Sequence, residues 1–407
     1  MANMANRGNR LTHTLLQNLF RTLFCMLLVW IAGYLVAHLF HFTEKLNPLT
    51  NKVEDFELSD LCFAFGHRQV DEDTAIIIFR EDSVANDKMS EELSQIERFQ
   101  ARSVAIDLVF NSYDSVRDNR LIDTINKYKK NIVLAASVEP SQKIDTRYHD
   151  FYNAMAGRND GNGSYNWGYL KSEGEMQTHR YFEPYLQIGS GKMPSFELSV
   201  LELTDTKYLD SIQKRGNEKE LINYHRGFHG HPRYHVFDSF PPDSASVTGK
   251  IVLIGSMDTN SVADRYYSPL NKYIGRSYPD MDGVEYHAQI LSMIIANDFI
   301  DEESTPIKYL LLFICNYICM FLFSWAMKFH NLYHLLTEVF LIAILVPLSL
   351  TICLLLLNDF HLMLEPVTYI VPIFFSGVAL HFYEPFVKLL SAISQKINFK
   401  KIVYATK

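Results

Sequence analysis

Cysteine is scarce, five residues in 407, and badly placed for cross-linking. Cys25, Cys315, Cys319 and Cys353 fall inside apolar runs, which leaves Cys62 alone in the polar part of the chain. A disulfide within that part is therefore excluded, and a domain of this size needs no such staple. Basic excess is also missing: 38 Lys and Arg stand against 46 Asp and Glu, a formal charge of −8. With no zinc-ribbon, helix-turn-helix or RNA-binding signature either, nucleic acid is not an expected partner. There is no Gly-x-Gly-x-x-Gly, no P-loop and no Gly-x-Ser-x-Gly, so a nucleotide fingerprint and a hydrolase elbow are unsupported. No catalytic constellation emerges, no cofactor is expected, and the chain is not read as an enzyme.

What is present is an uneven distribution of apolar residues. Residues 20–40 form an apolar run of the length needed to cross a hydrocarbon core of about 30 Å. Arg7, Arg10 and Arg21 precede or open it. A cleaved signal peptide is the alternative, but no small-x-small site ends the run; on either reading the following residues are exported. Three more spans are expected at residues 307–327, 335–357 and 363–383. Lys328 lies between the second and third spans. Asp359 lies between the third and fourth, and residues 384–407 carry five lysines against Glu384. Basic loops stay in the cytoplasm. Residues 1–19 and 384–407 are then cytoplasmic, residues 41–306 lie outside, and the expected location is a bacterial inner membrane. The basic tail has apolar residues at helical spacing, suited to anionic lipid or to a partner. Glu338 and Glu365 lie near span ends and are expected at the interface.

Residues 41–306 alternate strand and helix patterns. Thr74–Phe79, Ser103–Phe110 and Ile132–Ala136 read as strands. Ser90–Gln100, with Ser90 as N-cap, and Asn119–Lys129 read as helices. From Pro140 to Gly191 the periodicity fades. The pattern predicts an α/β domain, a mostly parallel sheet with helices on both faces, joined to α-helical transmembrane spans. Ile251–Ile254, bounded by Gly249 and Gly255, suits a strand buried on both faces. The loop after it leaves the carboxyl end of that strand, where open α/β sheets place ligands.

Candidate ligand-binding residues collect around that loop: Ser256, Asp258, Asp264, Arg265, and His287 on the following helix, with Asp107 in the second strand. Asp107, inside an apolar run, must be paired or hydrogen-bonded. Asp264 and Arg265 are adjacent and point in opposite directions if extended. Glu285 and His287, two apart, occupy different helix faces. His225, His229, His231 and His235 fall within eleven residues and could bind Zn²⁺ or Cu²⁺ or titrate near neutrality. Gly227, Gly230 and Pro232 favour reading them as an exposed, solvated loop.

Several pieces, taken in order, carry a resemblance. They are Ala75-Ile-Ile-Ile-Phe, Ala105-Ile-Asp-Leu-Val-Phe, Asn131-Ile-Val-Leu-Ala, Ile222-Asn-Tyr, Gly249-Lys-Ile-Val-Leu-Ile-Gly-Ser, Ala263-Asp-Arg-Tyr-Tyr-Ser-Pro-Leu and Gly283-Val-Glu-Tyr-His-Ala. The chain resembles the second type of CHASE domain, an extracellular sensory domain associated with cyclases and histidine kinases. The family pattern has one span before the sensor and three after it. The resemblance implies a non-catalytic membrane receptor that binds a small ligand or an exported protein. Two features depart from the pattern. Arg80-Glu81-Asp82 is not followed by Trp-Pro, and residues 384–407 leave no room for the kinase or cyclase domain the family commonly carries. Output is then expected from a membrane or cytoplasmic partner protein. The alternative is a structural or assembly subunit of an envelope complex. A homo-oligomer is compatible with either role.

Overall fold

The computed structural model describes residues 2–44, 57–66, 75–81, 86–108, 110, 113–138, 149–158, 164–171, 178–188, 191–224, 226–227, 230–235, 244–256, 265–270, 279–328 and 332–405. The chain divides into two compact units. One comprises Lys52–Asp301; the other comprises Met1–Asn51 with Glu302–Lys407.

The first unit is built on one six-stranded sheet. Its strands are β1 (Ile76–Glu81), β2 (Ser103–Asp107), β3 (Ile132–Val138), β4 (Asn166–Lys171), β5 (Arg233–His235) and β6 (Ile251–Ser256). They lie in the order β4-β3-β2-β6-β1-β5, and every pairing is parallel. β6, last in sequence, inserts between β1 and β2. The order therefore reverses at the centre of the sheet, the switch-point geometry that opens a crevice at the strands' carboxyl ends.

The strands are apolar because both of their faces are covered. Val104, Ile106, Ile77, Phe79, Val252 and Ile254 point to one side. They pack there with Met89, Leu93 and Ile96 of α3 (Asn86–Arg98), Leu121, Ile122 and Ile125 of α4 (Ser115–Tyr128), and Phe151 and Met155 of α5 (His149–Gly157). On the other side, strand alternation presents Ser103, Ala105 and Asp107. That face takes α6 (Phe196–Thr204) and α8 (Gly283–Ala296). α2 (Asp60–Phe65) and α7 (Lys207–Arg215) complete the helices of this unit.

α3 and α4 each begin about a turn before their apolar periodicity. Their first turns are mostly polar, with one apolar residue each, Met89 and Val116, so hydrophobic spacing does not reveal them. Asp114 caps α4 by accepting from the Val116 amide at 2.9 Å. Ser90 is not the cap of α3; its hydroxyl bridges to Thr124 Oγ1 of α4 at 2.7 Å. α5 lies where the periodicity fades, because Phe151 and Met155 are its fully buried anchors, with Tyr152 and Ala154 half-buried beside them.

The second unit contains α1 (Ala2–Glu44), α9 (Thr305–Ala326), α10 (Leu332–Phe360) and α11 (Pro366–Ala405). Each holds a segment long and apolar enough to cross a membrane: Thr14–Leu35, Thr305–Ala326, Tyr333–Phe360 and Pro366–Ile393. Cys25, Cys319, Met320, Phe323, Ile373, Ala379 and Leu380 form their common core. Most of the remaining large apolar residues in these helices face outward, as lipid contact requires.

Candidate functional site

Two glycines decide how closely the helices of the second face approach the sheet. Gly168 stands in β4, and a Cβ there would lie 2.3 Å from the Phe196 Cα, at the start of α6. Gly255 stands in β6, and a Cβ there would lie 2.6 Å from the Val284 Cβ, at the start of α8. Only a residue without a side chain permits either approach. Ser195 caps α6 and accepts from the Leu198 amide at 3.3 Å, while Ser199 Oγ donates to the Trp167 carbonyl at 2.8 Å. α6 and α8 are thereby held side by side over the carboxyl ends of the central strands.

Their side chains then meet. His287 Nδ1 of α8 lies 2.6 Å from Glu197 Oε1 of α6, and its Nε2 lies 3.7 Å from Asp107 Oδ1 of β2. Asp107 pairs in register with Gly255, so both stand on the face of the sheet that α8 covers. All three groups are buried. A nitrogen and an oxygen at 2.6 Å share a proton. Burial pushes the Asp107 carboxyl up to about 6; the nearby His287 opposes the rise and Glu197 adds to it. The arrangement is an acid–imidazole–acid chain that can hold or pass a proton.

This chain floors a small open cleft whose cavity is about 30 Å³, room for water-sized groups. Glu197 and His287 line it, with Glu183, His179 and the rings of Tyr169, Tyr181, Phe182, Tyr266 and Tyr286. His179 packs edge-on to Tyr266 at 4.4 Å and to Tyr286 at 5.3 Å. Among the described residues, no Lys or Arg lines the cleft. Next in sequence to His179, Arg180 makes a buried ion pair, donating from Nε and Nη2 to the two oxygens of Asp60 in α2, each at 2.7 Å.

The opposite flank of α8 carries a second buried cluster. Glu285 meets Arg233 and lies 3.5 Å from His231 Nδ1. Arg226 donates to Ser292 Oγ at 2.7 Å, and Gln289 donates to the Gly227 carbonyl at 2.7 Å. His231 is almost fully buried rather than part of an exposed loop, since Arg233–His235 forms the edge strand β5 and folds the segment inward. Burial first, then Arg226 and Arg233, holds the His231 imidazole down at about 3, so it is neutral.

Of the residues singled out in the sequence, Asp107 and His287 come together. Ser256 ends β6, half-buried. Arg265 is turned aside: it sits in a short antiparallel pairing opposite Asp282, its Nε 3.3 Å from the Asp282 carboxylate, and does not line the cleft. Asp258, Asp264, His225 and His229 lie outside the described residues, as does the side chain of His235. Glu197 was missed. Its signal was a single acid in the otherwise apolar helical run Phe196-Glu-Leu-Ser-Val-Leu. His179 and Tyr286 had no local signal, because they enter the cleft only through chain reversal. Glu338 is buried within its unit, and Glu365 pairs with Lys308.

A family model described as the CHASE2 domain matches residues 32–327, more than half of the chain. No curated protein and no solved structure matches it.

Proposed function

The chain belongs to the CHASE2 domain family, and on that premise we propose that it is a membrane receptor for a small organic cation, taken up in the cleft over β2 and β6. The CHASE2 domain is a sensory domain. The observation that carries the proposal is His287, held between Glu197 and Asp107 at the floor of an acidic, aromatic cleft. Tyrosine rings such as Tyr266 and Tyr286 attract a cation through their negative faces. A carboxylate beneath them supplies the opposite charge, and an ammonium arriving at Glu197 competes with His287 for it. Such competition moves His287, and with it α8.

Connectivity supports the relay. α8 ends at Ala296, and residues 297–304 lead directly into α9, the next apolar helix. A ligand that binds two positions of α8 unequally shifts their populations, and a separate membrane or cytoplasmic partner reads the result. The domain faces outward and both termini are cytoplasmic, at a bacterial inner membrane; the basic residues at Lys328 and after Tyr383 support this orientation.

The test uses the full chain in lipid nanodiscs, titrated calorimetrically with a panel of small amines and a matched panel of small carboxylates. At least one amine should bind, no carboxylate should, and Glu197→Gln or Tyr286→Ala should weaken the amine at least tenfold. Hydrogen exchange across 283–304 should change on binding. Absence of any amine binding, or binding indifferent to both substitutions, refutes the proposed site. Binding without a change in exchange refutes the relay.

A further inference from the structure

We propose that His334, Glu338 and His381 form a site for a divalent transition metal of the zinc class, inside the unit of membrane-spanning helices. His334 and Glu338 are four residues apart on α10, so they share one face. His381 comes across from α11. One ligand atom from each of the three lies within 4.8 Å of the others. His334 Nε2 stands 3.1 Å from Glu338 Oε1, and His381 Nε2 stands 3.6 Å from the same oxygen. A tetrahedral zinc ion with bonds of about 2.0–2.1 Å spaces its ligands about 3.3 Å apart. The two observed separations bracket that figure.

A second observation separates this from an ordinary ion pair. His334 Nε2 and Glu338 Oε1 are both buried, and neither makes a hydrogen bond despite their closeness. Buried polar atoms without partners are rare and call for a missing ion or water. An acid turned inward within a span is a functional group by default. Gly377, one turn before His381, lies beside the carboxylate: a Cβ there would stand 3.6 Å from Glu338 Oε1, in ordinary contact. The two imidazole rings cross at 86° with centroids 5.4 Å apart, edge to face. His381 is half exposed, which gives an ion a way in. Two imidazoles and one carboxylate suit zinc and leave a fourth position for water or another ligand.

The experiment uses the full chain, purified in mild detergent and stripped with a chelator. It is then loaded with Zn²⁺ or Co²⁺ and passed through a desalting column. A background with His225→Asn, His229→Asn and His235→Asn removes the competing histidine-rich segment. In that background one ion per chain should remain bound, and Co²⁺ should give the intense d–d bands of tetrahedral coordination. His381→Ala, whose half-exposed position makes it the mildest change, should abolish both signals while leaving the gel-filtration profile unaltered. His334→Ala should do the same. An ion retained by both variants, or no ion retained by the parent chain, overturns the assignment and leaves His334 and Glu338 as a structural pair.

Discussion

Replacing Gly255 by Ala tests the geometry on which the site depends. The added methyl would stand 2.6 Å from Val284 Cβ, 2.8 Å from its Cγ2 and 3.3 Å from its Cγ1. Ordinary carbon–carbon contact is about 3.5–4.0 Å, so α8 must retreat by about 1 Å. A Cβ fixed to a helix cannot rotate away, which places the change near the upper end of the overpacking range, about 3 kcal/mol. The same retreat displaces His287 from its 2.6 Å contact with Glu197 and weakens it. Stability and amine binding should therefore fall together. Trp167 in β4 reports on this unit, and the other two tryptophans, Trp30 and Trp325, can be replaced by Phe without touching it. Urea unfolding followed by Trp167 fluorescence gives the stability difference. Gly255→Ala/Val284→Gly should recover at least half of the loss, and Gly191→Ala, where the nearest atom is 3.8 Å away, should change it little. A loss below about 0.5 kcal/mol for Gly255→Ala, or no recovery in the double variant, would refute the close approach of α8 and β6.

Two further outcomes are expected from the buried charges. His231, held neutral at about 3 against an ordinary 6.5, contributes stability that is present above about pH 6.5 and lost as pH falls toward 3. At pH 5 the loss is about 2 kcal/mol. Asp107, raised to about 6 from 3.8, acts in the opposite sense: its contribution is present below about pH 4 and fades as pH rises through 6. The readout is therefore the gap between the wild-type chain and His231→Gln, which should narrow by about 2 kcal/mol between pH 7.5 and pH 5; a constant gap would sink the assignment. Arg180→Ala leaves Asp60 buried without its bidentate partner and should destabilise the same unit by about 3–5 kcal/mol. Recovery in Arg180→Met/Asp60→Leu would attribute the loss to the stranded charge, and a single-variant effect under about 1 kcal/mol would contradict the buried pair.

Much of this protein is determined locally and can be read from the chain by itself. Strands buried on both faces must be apolar throughout, so Ile76–Phe79, Val104–Ile106 and Ile251–Ile254 announce themselves, and their alternation with helical patterns implies a parallel sheet. Spans announce themselves for the same reason, since hydrocarbon tolerates little else. Asp107 stood out because an acid in an apolar run demands a partner. What that partner is, only the tertiary structure decided. Glu197 and His287 are 90 residues apart and meet because Gly168 and Gly255, in different strands, each admit a helix to the sheet. The order β4-β3-β2-β6-β1-β5 belongs to the same class of fact: nothing in β6 itself says that it inserts between β1 and β2. The inward turn of His231 and the convergence of His334, Glu338 and His381 likewise depend on which surfaces pack, a property of pairs of elements and not of any one of them.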